Sequence, residues 1–166
     1  MLIRAAIGGI LVLGPLFVAR AAAAEDRSVE AQLAGSYTLA SIYDLLKDGK
    51  KNDTWGEGVK GSLFLAPSEQ FSVQIVAAGR DKAASKSPRV PVGPIVTYFG
   101  TYTVDGGGRG LTYHVERSSF PGWDGIDRKI VIESMAGGEL KLVSTVHGDS
   151  TLGDFKAYQT WKRSER

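Results

Sequence analysis

The chain has 166 residues, no cysteine and a formal net charge of +2. This length corresponds to one domain, and the lack of cysteine excludes disulfides, a lipid-modified N-terminal cysteine, a thiol nucleophile and a thiolate metal site. The basic excess comes from Arg4 and Arg20, and the rest of the chain is formally neutral with no basic cluster between aromatic residues, so we expect no nucleic-acid partner.

The first 24 residues have the pattern of a secretory signal peptide. Arg4 supplies a positive start, residues 5–19 form an apolar run, and Ala22-Ala23-Ala24 offers small residues for cleavage. The run is shorter than the about 20 residues that a transmembrane helix needs, so no membrane span is expected. The sequence predicts cleavage after Ala24, one domain over 25–166, and a periplasmic or secreted location.

The remaining chain is dominated by short stretches in which apolar and polar residues alternate, separated by glycine-rich or polar breaks. Such stretches are typical of β-strands, and short breaks favour antiparallel neighbours. An antiparallel meander with one apolar, buried face avoids exposed strand edges by closing into a barrel. The sequence therefore predicts an all-β, eight-stranded antiparallel up-and-down barrel, with a flattened sandwich as the alternative. The predicted strands are 34–43, 60–66, 70–77, 95–104, 110–118, 127–134, 139–146 and 155–163.

Two predicted connections, 44–59 and 78–94, are longer than the others. Their Lys, Asp, Gly and Pro content is typical of exposed loops, and either could act as a lid. Residues 56–61 match G-x-G-x-x-G, but a strand rather than a helix is predicted to follow, so this is interpreted as a loop and not a dinucleotide site. No cofactor is predicted.

Several segments resemble the lipocalin-like domain family, a group of small barrels related to the lipocalins. The most specific are YFGTYTVD (98–105) and TYHVERSSFPGWDG (112–125). KGSLFLAPSEQFSVQI (60–75) and LAGSYTLAS (33–41) are similar to earlier strands of the family. The resemblance implies a lipocalin-like barrel that binds a small apolar or amphipathic molecule.

The resemblance also concerns the first and last strands. Lipocalin relatives place a basic residue of the last strand against an aromatic residue of the first, commonly tryptophan, where this chain has Tyr37. It therefore implies that Arg163 or Lys162 covers Tyr37 and closes the barrel through a cation–π contact.

His114 and Glu116 stand two residues apart in the fifth predicted strand, so their side chains share one face. Three interpretations stay open. Alternation with apolar neighbours favours a solvated outer face. The resemblance, which is centred here, favours a partly polar lumen in which they orient a ligand together with Tyr98 and Tyr102. The third interpretation is proton transfer in a barrel enzyme, a cyclase or isomerase.

Metal binding is a weaker hypothesis. His114-x-Glu116 and His147-x-Asp149 each pair a nitrogen with an oxygen. Because one strand separates the two pairs, they are predicted to stand about 10 Å apart, too far for one ion. No metal site is predicted.

The turn after this strand contains Phe120 and Trp123 around Pro121-Gly122. Phe120 is predicted to cap a barrel mouth and Trp123 to contact the ligand, since ligand pockets are mostly apolar. A protein-interaction module of the cell envelope is a further alternative. The oligomeric state is left open. The predicted ligand-binding residues are Tyr98, Tyr102, His114, Glu116 and Trp123.

Overall fold

The computed structural model describes residues 29–105, 107–149 and 151–164. The predicted signal peptide, residues 1–24, lies outside them. Within the described ranges, no helix has the length and apolar character needed to cross a membrane.

The described chain is almost entirely β-structure, with helical residues 29–33 before the first strand and one 3₁₀ turn, η1 (Pro121–Trp123). The strands are β1 (Gly35–Leu46), β2 (Lys51–Asn52), β3 (Lys60–Leu65), β4 (Gln70–Val76), β5 (Ile95–Val104), β6 (Gly110–Ser118), β7 (Asp127–Ala136), β8 (Glu139–Asp149) and β9 (Gly153–Arg163).

The eight long strands form a closed antiparallel barrel. Each strand from β3 to β8 pairs with the next one, and β1 pairs with β3. The last strand, β9, pairs with β1 over a ladder from Tyr37↔Arg163 to Leu46↔Phe155. The predicted eight-stranded up-and-down barrel is therefore confirmed. The short β2 was not predicted, and it extends the sheet beside the second half of β1.

The two ends of the barrel differ. At one end, which we call the closed end, the short β3–β4, β5–β6 and β7–β8 turns meet helical residues 29–33, and Leu33 is completely buried. At the opposite, open end lie the longer connections, residues 47–59 and 77–94, together with η1 and the β8–β9 turn.

The half of the barrel next to the closed end is filled by side chains. Inward positions alternate with outward ones along each strand, because successive strand residues point to opposite faces. The Phe71 and Tyr113 rings stack at 4.2 Å between centres. The largest completely or almost completely buried side chains are Trp161, Tyr102, Tyr113, Leu33, Leu63, Leu65, Ile75, Leu111, Leu140 and Val73.

A bulge in β1 changes which residues face inward. The register with β9 shifts between Leu39 and Ser41, and a bulge moves the following residues to the other face. Leu39 is therefore buried before the bulge, whereas Ile42 and Asp44 are buried after it. This shift places a carboxylate inside the open half of the barrel.

Candidate functional site

The open half of the barrel contains a cavity of about 470 Å³. The walls come from the end of β1, from β2 and the loop that follows it, and from β4, β5, η1, β7, β8, β9 and the β8–β9 turn. The lining residues are Ile42, Asp44, Asn52, Thr54, Trp55, Ile75, Val96, Tyr98, Trp123, Arg128, Ser144, Val146, Asp149, Thr151, Leu152, Phe155, Ala157 and Gln159.

Aromatic rings form much of the apolar wall. Trp55 reaches the cavity from the loop after β2, and Phe155 from the start of β9. Tyr98 and Trp123 meet edge to face, with 5.4 Å between ring centres and an interplanar angle of 84°. Rigid rings of this kind offer a large contact area to an apolar ligand.

Arg128 is the cation of this wall. The guanidinium carbon lies 3.6 Å from the centre of the Trp123 ring and 5.2 Å from that of Tyr98. Burial raises the pKa of Tyr98, and the nearby Arg128 charge opposes that rise only in part, so the phenol is neutral at physiological pH. The Arg128 side chain therefore holds two aromatic walls of the cavity in place.

Asp44 is the most buried ionisable lining group, with 2% of its surface exposed. The Thr54 hydroxyl donates a hydrogen bond to Asp44 Oδ2, and the Asn52 amide donates one to Thr54 Oγ1 (2.8 Å). Burial raises the pKa of the Asp44 carboxyl, the Thr54 hydrogen bond opposes that rise, and the charges of Asp149 and Asp53 add to it. The carboxylate is thus bonded to Thr54, which in turn is held by Asn52 of β2.

Two of the predicted ligand-binding residues, Tyr98 and Trp123, lie together in the cavity wall. Tyr102 faces inward on the same strand as Tyr98, but it lies toward the closed end, where its hydroxyl donates to the Ala66 carbonyl (3.0 Å). Burial raises the pKa of Tyr102 to about 12. In this arrangement Tyr102 is part of the packed core.

The structure places His114 and Glu116 outside the cavity. His114 lies on the outer face of β6 with its side chain 40% exposed, and its Nδ1 is 2.7 Å from Asp127 Oδ1 on β7. Glu116 is exposed and occupies a bulge, since Arg117 pairs with Phe99 while Val115 pairs with Gly100. Their positions agree with the solvated outer face among the three interpretations.

Neither histidine pairs with the carboxylate two residues further along the chain. His114 pairs with Asp127, and His147 Nδ1 lies 3.4 Å from Asp154 Oδ2. In the part of the chain that the structure describes, no three His, Asp or Glu side chains are grouped to hold a metal ion.

A wider cleft of about 890 Å³ crosses the outside of the barrel over β7, β8 and β9. Exposed apolar side chains, Phe120, Ile126 and Val131, lie along it among charged ones such as Lys129 and Glu133. The cleft shares Trp123, Arg128 and Val146 with the cavity, but most of its lining residues lie on the outer face of the barrel.

Comparison with known proteins places the fold in a family. The sequence model of the lipocalin-like domain matches residues 34–164. The chain belongs to the lipocalin-like domain family. Among solved structures, it is similar to a redesigned beta barrel, with a TM-score of 0.44, 13% identity, and coverage of 82% of this chain and 96% of that chain. No curated protein matches the chain.

The lining residues of this lipocalin-like barrel that were not predicted as site residues include Asp44, Trp55 and Arg128. Because of the β1 bulge, a simple alternation pattern does not place Asp44 on the inner face. Trp55 lies in a segment that was interpreted as an exposed loop. Arg128 is the second residue of β7 and lies at an inward position, two residues before the buried Ile130. That two-residue spacing is a signal that could have identified it.

Proposed function

We propose that this lipocalin-like barrel binds a small apolar or amphipathic molecule in the cavity of its open half. The observation that most directly supports this proposal is the cavity itself, which has a volume of about 470 Å³, aromatic and aliphatic walls, and a few polar groups. Ligand sites for small molecules generally have this size and composition.

The division of the barrel into two halves supports the proposal. The side chains of Trp161, Leu140 and Leu65 are completely buried in the half next to the closed end, so that half provides stability. The open half instead keeps a cavity between inward side chains. Such a cavity lowers the packing density of the barrel and therefore its stability. A cavity retained at that cost is explained by a ligand that fills it.

A neutral apolar dye tests the proposal directly. N-phenyl-1-naphthylamine, whose fluorescence rises in an apolar environment, is titrated into the protein while tryptophan emission is recorded. We expect a saturable rise of dye fluorescence and quenching of Trp55 and Trp123, both of which line the cavity.

Cavity-filling substitutions locate the dye. Val96→Phe and Ala157→Phe each add a ring at a lining position, on β5 and β9. Ala136→Phe adds the same ring at an exposed position of β7 and serves as the control. We expect the first two variants to lose saturable binding while circular dichroism stays that of a β-protein. Unchanged dye binding in both folded variants would refute the cavity as the site.

We also propose that the domain is exported and acts in the periplasm or outside the cell. Support comes from the sequence alone, from Arg4, the apolar run 5–19 and the small residues 22–24. N-terminal sequencing of the exported protein should find Glu25 as the first residue. Retention of Met1 in that fraction would contradict the proposal.

A further inference from the structure

The cavity holds a buried carboxylate that no cation of the described chain neutralises. Asp44 is 2% exposed, and among residues 29–105, 107–149 and 151–164 no Lys, Arg or His lies within ion-pair distance of it. Burying a charge without an opposite charge costs free energy, and such groups concentrate at functional sites. Asp44 therefore needs an explanation beyond packing.

A second carboxylate faces the same space. Asp149 lines the cavity from the end of β8, and its charge is close enough to raise the pKa of Asp44. Its Oδ1 accepts backbone N–H groups from Thr151 (2.7 Å) and Leu152 (2.8 Å), which fix the side chain at the β8–β9 turn. The described chain shows no ion pair for Asp149 either. Two carboxylates thus line the cavity from β1 and β8, the strands on either side of β9.

Among the described residues, Arg128 is the one cationic side chain in the lining, and its guanidinium is already engaged elsewhere. Arg128 lies over Trp123 at 3.6 Å and over Tyr98 at 5.2 Å, and its charge is not among the influences on Asp44. The described lining residues therefore carry one net negative charge, with the two carboxylates on β1 and β8 and the aromatic rings in the same cavity wall. An aromatic wall next to an anion is the arrangement that recognises organic cations.

We propose that the cavity of this barrel selects an amphipathic cation, whose apolar body packs between Trp55, Tyr98 and Trp123 and whose protonated amine lies against Asp44 and Asp149. This inference rests on the proposed function and specifies the ligand class. The Thr54 hydroxyl bonds to Asp44 Oδ2 and so directs the carboxylate. Asp44 stands in β1, a strand rather than a loop, which favours precise placement.

The test uses three fluorescent probes with the same dansyl body. Dansylcadaverine carries a primary amine that stays protonated below about pH 10. Its N-acetyl derivative is neutral, and a dansylated amino acid with a chain of similar length ends in a carboxylate. Each probe is titrated into wild-type protein at pH 7. We expect the cationic probe to bind about 10- to 100-fold more tightly than the acetylated one, because a charge-assisted hydrogen bond contributes a gain in affinity of that size.

Charge-removing substitutions assign that preference to the proposed residues. Asp44→Asn should remove most of the difference between the amine and acetylated probes, and Asp149→Asn should remove part of it. Glu133→Gln removes one negative charge from the outer face of β7 and should change nothing. Thermal melts establish that each variant is folded before its affinities are compared.

The outcomes separate this inference from the proposed function. Equal affinity for all three probes, with loss of binding in Val96→Phe, would leave the cavity as a ligand site and overturn the cation preference. Tightest binding of the carboxylate probe would overturn it in favour of an anionic ligand at Arg128. No binding of any probe, including the neutral naphthylamine dye, would overturn both proposals. A cation preference that survives in Asp44→Asn and Asp149→Asn would also refute the inference.

Discussion

The guanidinium carbon of Arg163 lies 4.8 Å from the centre of the Tyr37 ring, and Arg163 Nη2 donates a hydrogen bond to the Tyr37 hydroxyl (2.6 Å). The same guanidinium donates to the carbonyl oxygens of Ala34 (2.7 Å) and Gln32. It thereby connects the last strand, the first strand and the helical residues that precede it. A Cβ at Gly35 would overlap the guanidinium, so a larger residue there would displace the Arg163 side chain from these contacts.

Arg163→Ala should destabilise the barrel by about 1–3 kcal/mol, because it removes charge-assisted hydrogen bonds and a cation–π contact. Urea unfolding measures the change. Lys162→Ala, at the adjacent exposed position, is the control and should alter stability by less than about 0.5 kcal/mol. Since Arg163 lies at the closed end, affinity for an apolar dye should be unchanged, and a large loss of affinity in a folded Arg163→Ala variant would contradict this division of roles.

Gly100→Ala should cost about 2–3 kcal/mol of stability. Gly100 pairs with Val115 beside the bulge at Glu116, and a Cβ on it would overlap the His114 carbonyl oxygen, which is backbone and cannot rotate away. Thr101→Ala, the next residue and exposed, is the matched control. Thermal unfolding should show a large decrease for the first variant only. Equal melting temperatures would show that the bulge relaxes to accept a side chain.

Asp44→Asn should raise the melting temperature at pH 7. Burial raises the pKa of Asp44 above its ordinary value of 3.8, so the folded state holds the proton more tightly than the unfolded state does. Wild-type protein therefore loses stability as pH rises from the unfolded pKa through the folded one. The advantage of the Asn variant should be greatest above that interval and vanish below pH 3.8. A variant that melts lower than wild type at pH 7 would show that the charged form is well solvated.

Asp154→Asn should have the opposite effect. A Gly148 N–H, Lys47 and His147 lower the pKa of this carboxyl. The resulting stability is present above the unfolded pKa and is lost as pH falls through the folded pKa. The variant should melt slightly below wild type at pH 7, with the difference shrinking below about pH 4, the range of an unperturbed aspartate. The effect should be small because the group is partly exposed and its charge is screened by solvent. A difference independent of pH would exclude the ionic explanation.

His114→Ala should leave affinity for cavity ligands within about twofold of wild type, since a lost hydrogen bond to the ligand would cost two- to tenfold. His114 lies on the outer face with Asp127 and Thr103 as partners. Trp123→Ala is the comparison, because it removes a cavity wall. A tenfold loss of affinity in a folded His114→Ala protein would support the lumen interpretation instead.

The fold could be predicted from the sequence because the local alternation of apolar and polar residues indicates which strand residues are buried. Phe71, Val73 and Ile75 are apolar and buried, and Ser72 and Gln74 between them are polar. The predicted strands therefore match the observed ones to within a few residues. The short strand β2 could not be predicted, because two residues, Lys51 and Asn52, carry no periodic pattern and pair only through β1.

The site was harder to predict because bulges interrupt alternation. Extending the inward positions Tyr37 and Leu39 through residue 43 would place Asp44 outside, whereas the bulge turns it inside. Tyr98 and Tyr102 cannot be told apart from the sequence pattern, because both occupy inward positions of β5. Four strand residues correspond to about 13 Å, enough to put one in the cavity wall and the other in the packed half.

The closing ladder between β1 and β9 joins the first and last strands of the domain, residues 35–46 and 153–163. Contacts between such distant segments slow folding, because the chain loses much entropy before they form. Until β9 is in place, β1 and β8 both present unpaired strand edges, and such edges template aggregation. A chain truncated before residue 153 should thus be insoluble rather than merely less stable. A chaperone that delays association between chains would protect this protein most in the interval before β9 pairs.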